Sequence, residues 1–192
     1  MFQFYAATTK LRTSRPFLSK LPYWLCPIPA GVWDLVRKII KKEKVRYYEP
    51  KPLLVSLLHC LCEAQDQSLC RFVAEQLDGY LNLGNTTLSL VDCLVIGYFL
   101  SSVSLTTSSV KGFRVDLNNC SIGDAGTKSL MRSICRSVIH NTITTHVVMY
   151  LECNEIHEEG ASHIAEVLSK TSIINRLWLG SVTKDCKVYL IL

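Results

Sequence analysis

A chain of 192 residues is long enough for one or two domains and for a core of independent stability. With 48% hydrophobic and 19% charged residues, the composition excludes a disordered chain. The net charge of +5 is unevenly spread: residues 1–51 hold 11 Lys/Arg against 3 Asp/Glu, and residues 52–192 hold 10 against 13. Basic character therefore belongs to the N-terminal quarter. The nine cysteines are odd in number and show no disulfide framework, and Met1–Ala7 is apolar before Lys10, the reverse of a secretory signal. These features predict reduced thiols in a cytoplasmic protein. The sequons at Asn85 and Asn119, which need secretion, then carry no weight.

In chain order, residues 1–32 open on the short apolar run Phe2–Ala7 and continue as basic, proline-punctuated sequence. Trp33–Tyr48 predicts a basic amphipathic helix. Trp33, Val36, Ile39 and Ile40 form one side, and Arg37, Lys38, Lys41, Lys42 and Lys44 the other. Pro50 and Pro52 end it, since proline removes a donor and crowds the preceding turn. Leu53–Gln65 predicts an apolar helix, and Asp66 is placed to cap a further helix through Leu77. Residues 33–78 thus form a helical linker region.

From residue 79 the chain repeats itself. Measured from Leu83, offsets of +3, +5, +9, +13 and +17 give Thr86, Leu88, Asp92, Ile96 and Leu100. From Leu117 they give Cys120, Ile122, Gly126, Leu130 and Ile134, and from Leu151 they give Asn154, Ile156, Gly160, Ile164 and Leu168. A fourth copy starts at Leu177-Trp178-Leu179 and fails. Leu81/Leu83, Val115/Leu117 and Met149/Leu151 have strand spacing. Ile96/Leu100, Leu130/Ile134 and Ile164/Leu168 lie one helical turn apart. Thr86, Cys120 and Asn154 mark the turns between, where a small polar side chain can satisfy amides beyond the ladder. Each unit has one apolar face and must stack to bury it. Cys93, Cys120 and Cys153 are expected at small buried positions. The units recur every 34 residues, so the surplus in Ser101–Gly112 and Cys135–His146 is expected to form loops.

The repeated pattern resembles the leucine-rich repeat L-x-x-L-x-L-x-x-N/C-x-L. With Gly126-x-x-x-Leu130 and Gly160-x-x-x-Ile164 behind it, it is similar to the long, helix-bearing repeats of ribonuclease inhibitor and of NLR (NACHT and leucine-rich repeat) immune receptors. Two upstream segments carry the same resemblance. Phe2–Ala7 is similar to the Q-E-F-L-A-A element near the end of the NACHT module. Leu58-His59-Cys60-Leu61-Cys62-Glu63-Ala64-Gln65 resembles the L-x-H/Y-C-L-x-E-x-Q segment before NLR repeats. The resemblance implies an α/β fold: a short horseshoe with parallel strands inside and helices outside, over residues 79–192, as about three repeats and a truncated fourth. It makes residues 1–32 the remnant of an upstream helical module. The NACHT core is absent, so the resemblance implies a receptor fragment that senses ligands or holds a nucleotide-binding module inactive. It does not imply ATP hydrolysis.

Apparent chemical motifs dissolve on inspection. Gly126-Thr127-Lys128-Ser129 lacks the glycine directly before lysine that a phosphate loop requires. His157-Glu158-Glu159 would need a second zinc ligand at Ala161, and His163 falls on the other side of a helix. Cys60 and Cys62 point about 200° apart on a helix, so with His59 and Cys70 they make no metal site. Leu88–Leu105 is apolar, but Asp92 interrupts it and the repeat already explains its leucines and isoleucines. No catalytic, cofactor or metal assignment survives, and the expectation is a non-enzyme.

What remains is a surface. Stacked strands align Asn82, Asp116, Tyr150 and Trp178 in one outward column, and Gly84, Asn118 and Glu152 in the next. Arg114 and Arg176 stand three residues before their strand leucines. Exposed aromatics flanked by charges are the composition of protein-recognition hot spots. The primary expectation is thus a protein-interaction module binding a partner or ligand on its concave face. The alternative is an adaptor that binds an anionic membrane or nucleic acid through Arg37, Lys38, Lys41 and Lys42, with the repeats as scaffold. The apolar tail predicts self-association through residues 174–192, because no complete helix follows to cap the stack.

Overall fold

The computed structural model describes residues 30–45, 48–104, 112–138, 146–171, 174–180 and 187–191. The expectation placed on Phe2–Ala7 lies outside them. Among the described residues three helices come first: α1 (Ala30–Val45), α2 (Pro52–Ala64) and α3 (Gln67–Gln76). Then strands and helices alternate as β1 (Tyr80–Asn82), α4 (Leu90–Ser104), β2 (Gly112–Asp116), α5 (Gly123–Val138), β3 (His146–Tyr150), α6 (Glu158–Lys170), β4 (Ile174–Gly180) and β5 (Lys187–Ile191). The protein is mixed α/β.

The helical segment follows local chemistry. Val36, Ile39 and Ile40 are the buried stripe of α1, and Arg37, Lys38, Lys41, Lys42 and Lys44 are exposed. Helix α2 begins on Pro52, whose missing N–H is no loss in a first turn. Asp66 caps α3 as its sequence position predicts, its Oδ1 accepting from Ser68 N and Leu69 N at 3.0 and 3.1 Å. The Trp33 ring packs edge-on against Phe72, tying α1 to α3.

Strands β1 to β4 are parallel neighbours in sequence order, and β5 closes the sheet antiparallel to β4. Parallel pairing requires a long crossover, which α4, α5 and α6 provide in turn. The register confirms the repeat spacing. Leu81 pairs with Val115, Val115 with Met149, and Met149 with Leu177. The ladder then runs one residue past each strand. Leu83, Leu117 and Leu151 donate to the carbonyls of Asp116, Tyr150 and Trp178. All of these inward residues are buried, as are Ile96, Leu130 and Ile164 on the helices behind them. The third interval is shorter, and a bulge between Val147 and Val148 absorbs the irregular entry into β4.

The turns repeat the same backbone. Asn85, Asn119 and Cys153 all take left-handed φ angles of 62°, 55° and 57°, and Ser121 and Glu155 follow at 54° each. The side chains of all five are exposed. Cys153 is exposed, contrary to the expected burial, because it matches Asn85 and Asn119 rather than Cys120. The buried place belongs to the next residue, Thr86, Cys120 or Asn154.

These three buried side chains all reach toward the N-terminus. Asn154 Oδ1 accepts from Cys120 N and Ile122 N at 2.9 and 3.3 Å, and its Nδ2 donates to Leu117 O at 2.7 Å and Glu152 O at 3.2 Å. The Cys120 thiol donates to Leu83 O at 3.2 Å, and Thr86 Oγ1 accepts from Lys51 N at 2.8 Å. Each turn thus fastens its unit to the preceding element. Asp124 works in the other direction. Its Oδ1 accepts from His157 N and Gly160 N at 2.7 and 3.0 Å and so caps the next helix. A Cβ on Gly160 would lie 2.5 Å from that oxygen, which explains a glycine inside a helix's first turn.

Two further expectations change. The segments expected as loops are helical at their starts, because α4 continues through Ser104 and α5 through Val138. Ser101, Ser102 and Val103 are buried, so helix there covers core that a loop would leave open. The C-terminal tail also has a partner that its sequence did not suggest. Strand β5 runs antiparallel along the edge of β4 where a further parallel strand would have stood. Among the described residues no helix is long and apolar enough to cross a membrane. Within the Leu88–Leu105 stretch, Asp92 is held by Ser89 and His59 at the start of α4.

Candidate functional site

The sheet face opposite α4–α6 carries the outward side chains. The register brings Asn82, Asp116, Tyr150 and Trp178 into one column, as the spacing predicts. A parallel column holds Tyr80, Arg114, Val148 and Arg176. Arg114 and Arg176 are exposed. Tyr80 is the residue sequence reasoning missed, although it too stands three before its strand leucine, the offset that marks both arginines. Its hydroxyl donates to Asp116 Oδ2 at 3.2 Å, so the two columns are linked.

Past the strand ends the face continues as hydrogen-bonded polar residues. Asn82 Oδ1 accepts from Gly84 N at 3.0 Å and Asp116 Oδ1 from Asn118 N at 3.1 Å, the same turn built twice. Asn118 and Glu152 then join neighbouring units: Glu152 N donates to Asn118 Oδ1 at 2.7 Å, and Asn118 Nδ2 to Glu152 Oε2 at 3.3 Å. A Cβ on Gly180 would sit 2.9 Å from Glu152 Cβ, so the last member of this column has room only for glycine.

Tyr150 and Trp178 are half-buried rather than fully exposed. Their rings stack on each other, with centroids 5.7 Å apart and planes 14° from parallel. Each ring shields the other's inner face and presents one outer surface, within the spacing that favours offset stacking. The result is a rigid aromatic plate. It adjoins Asp116 in its own column and lies between the arginine column and the Asn118–Glu152 pair.

No protein-family model, curated protein or solved structure matches this chain. The functional reading therefore rests on the geometry of the site and on the residue patterns that carry the resemblance.

Chemistry elsewhere is sparse. Among the described residues there is no group of three or more His, Cys, Asp or Glu that could hold a metal. His59 is engaged by Asp92, Nε2 to Oδ1 at 2.6 Å, bridging α2 and α4. Burial alone would raise the Asp92 carboxyl, but hydrogen bonds from His59 and Ser89 outweigh it and hold the group below its ordinary value. Burial pushes the thiols of Cys70, Cys93 and Cys120 up to about 12, so at neutral pH they are protonated packing groups rather than nucleophiles. Lys128, singled out by the phosphate-loop likeness, lies on the helical side and pairs with Glu159 at 3.4 Å.

Proposed function

We propose that this chain is a non-enzymatic protein-interaction module, built as a short leucine-rich-repeat stack whose open sheet face takes a protein partner. The observation that carries the reading is the stacked Tyr150–Trp178 plate among Arg114, Arg176, Asp116 and Glu152. Rigid aromatics beside charges concentrate binding energy at protein interfaces, because little side-chain entropy is lost when they dock. The equal spacing of the first three units, their shared turn conformations and the side chains that fasten each to the one before support the repeat assignment. By its resemblance to NLR receptors, the module serves ligand sensing or autoinhibition in the cytoplasm.

The test compares capture by three versions of the full chain from the same extract. The versions are the parent, Tyr150→Ala with Trp178→Ala, and Lys128→Ala with Arg132→Ala on the helical side. Partners retained by the parent and the helical-side variant should be lost by the aromatic variant, provided circular dichroism shows that it folds. Equal retention by all three would contradict the reading.

The exposed row Arg37, Lys38, Lys41 and Lys42 on α1 favours a second reading, the adaptor to an anionic membrane or nucleic acid. Arg37 is partly spent within the protein, on Asp34 at 3.3 Å and over the Phe72 ring. Binding carried by this row would fall steeply with added salt. Binding carried by the aromatic plate would not.

A further inference from the structure

A cavity of about 310 Å³ lies at the first edge of the sheet, between α1, α2 and β1. That is within the size of small-molecule sites. Ile40, Leu54 and Leu77 form its apolar wall. Most of its other polar groups spend a bond elsewhere. The Lys51 ammonium donates to Glu49 O at 2.7 Å, Lys44 is paired with Asp78, the Tyr80 hydroxyl donates to Asp116, and Asn82 Oδ1 accepts from Gly84 N.

Glu43 is the exception. It is 2% exposed, and neither carboxyl oxygen has a hydrogen-bond partner among the described residues. A buried carboxyl left without donors is among the costlier arrangements a fold can keep. A carboxylate is an acceptor with two oxygens. A nitrogen head bearing two or more hydrogens meets both at once, where a hydroxyl brings one.

We propose that this cavity binds a small molecule with a primary nitrogen head, an amine or a carboxamide, hydrogen-bonded to Glu43, and an apolar body seated on Ile40, Leu54 and Leu77. Nothing in the argument depends on the sheet-face partner, so either assignment can fail without the other.

Methyl-resolved NMR of the full chain tests it, with benzylamine, benzamide, toluene and benzoate as probes. Benzylamine or benzamide should shift the methyls of Ile40, Leu54 and Leu77 in a saturable way, and which of the two binds tighter tells whether the head is charged. Glu43→Leu should weaken the nitrogen probe by about tenfold or more, the value of a hydrogen bond to a charged group. It should leave any toluene binding undiminished. Glu43→Gln, which keeps the shape but brings its own donors, should weaken the same probe if the leucine variant does not fold. The proposal is overturned if neither nitrogen compound moves those methyls, if toluene or benzoate binds as tightly, or if the Glu43 variants bind the nitrogen probe as well as the parent does.

Discussion

Asn154 and Cys120 stand at the same place in consecutive units, three residues past the strand-end leucine, yet they hold the chain very differently. Asn154 makes four hydrogen bonds, two of them to buried amides of the preceding turn. Cys120 offers one weak thiol donor, shared between Leu83 O and Asn118 O. Both side chains lie in the same buried slot and reach the same way. The position therefore needs a small side chain that fits, and the strength of the junction depends on how many backbone groups that side chain can satisfy. Thr86 lies between the two, since its hydroxyl accepts from one amide, Lys51 N, and so joins the sheet to the helical segment.

Breaking the strong junction should have the largest effect. Asn154→Ala strands the amides of Cys120 and Ile122 and the carbonyl of Leu117, and should cost about 3 kcal/mol or more in urea unfolding. Thr86→Val keeps the volume but leaves Lys51 N–H without its acceptor, for about 1–2 kcal/mol. Cys120→Ala loses a weak donor and a small apolar contact, and about 1 kcal/mol is expected. If the three costs came out equal, burial alone would explain the position and hydrogen bonding would not.

A smaller effect should appear at the junction of α2 and α4. Protonating Asp92 forfeits the bonds from His59 and Ser89. Stability present above the ordinary carboxylate range is then lost as pH falls through the lowered Asp92 value. Melting curves of Asp92→Asn should lack that part of the acid decline, and an unchanged acid profile would remove the bond from the account.

Much of this was legible before any coordinates. The 34-residue spacing locates β1, β2 and β3 and places Asn82, Asp116 and Tyr150 in one column, to which the shorter fourth copy adds Trp178, because an alternating strand and a parallel register leave no other arrangement. Asp66 announced its helix because capping is local chemistry. Three things were hidden, each for its own reason. Residue type gives no hint of the left-handed φ that goes with an exposed Cys153, so its burial is expected from sequence and not found. The antiparallel pairing of β5 with β4 follows no feature of the repeat. Glu43, on the polar side of a basic helix by composition, is buried beside a cavity that α2 and β1 also line, a tertiary contact no local pattern shows.

The account stands on one register, in which the residue two past each strand leucine points out and the next points in. Alkylation of the folded protein, mapped peptide by peptide, reads that directly, since Cys153 and Cys120 occupy the two positions. Iodoacetamide should modify Cys153 promptly and leave Cys120, Cys93 and Cys70 unmodified until the chain is unfolded. Modification of Cys120 as fast as Cys153 in the native state would mean that the turns are shifted by a residue, and the columns of the open face would be wrong with them.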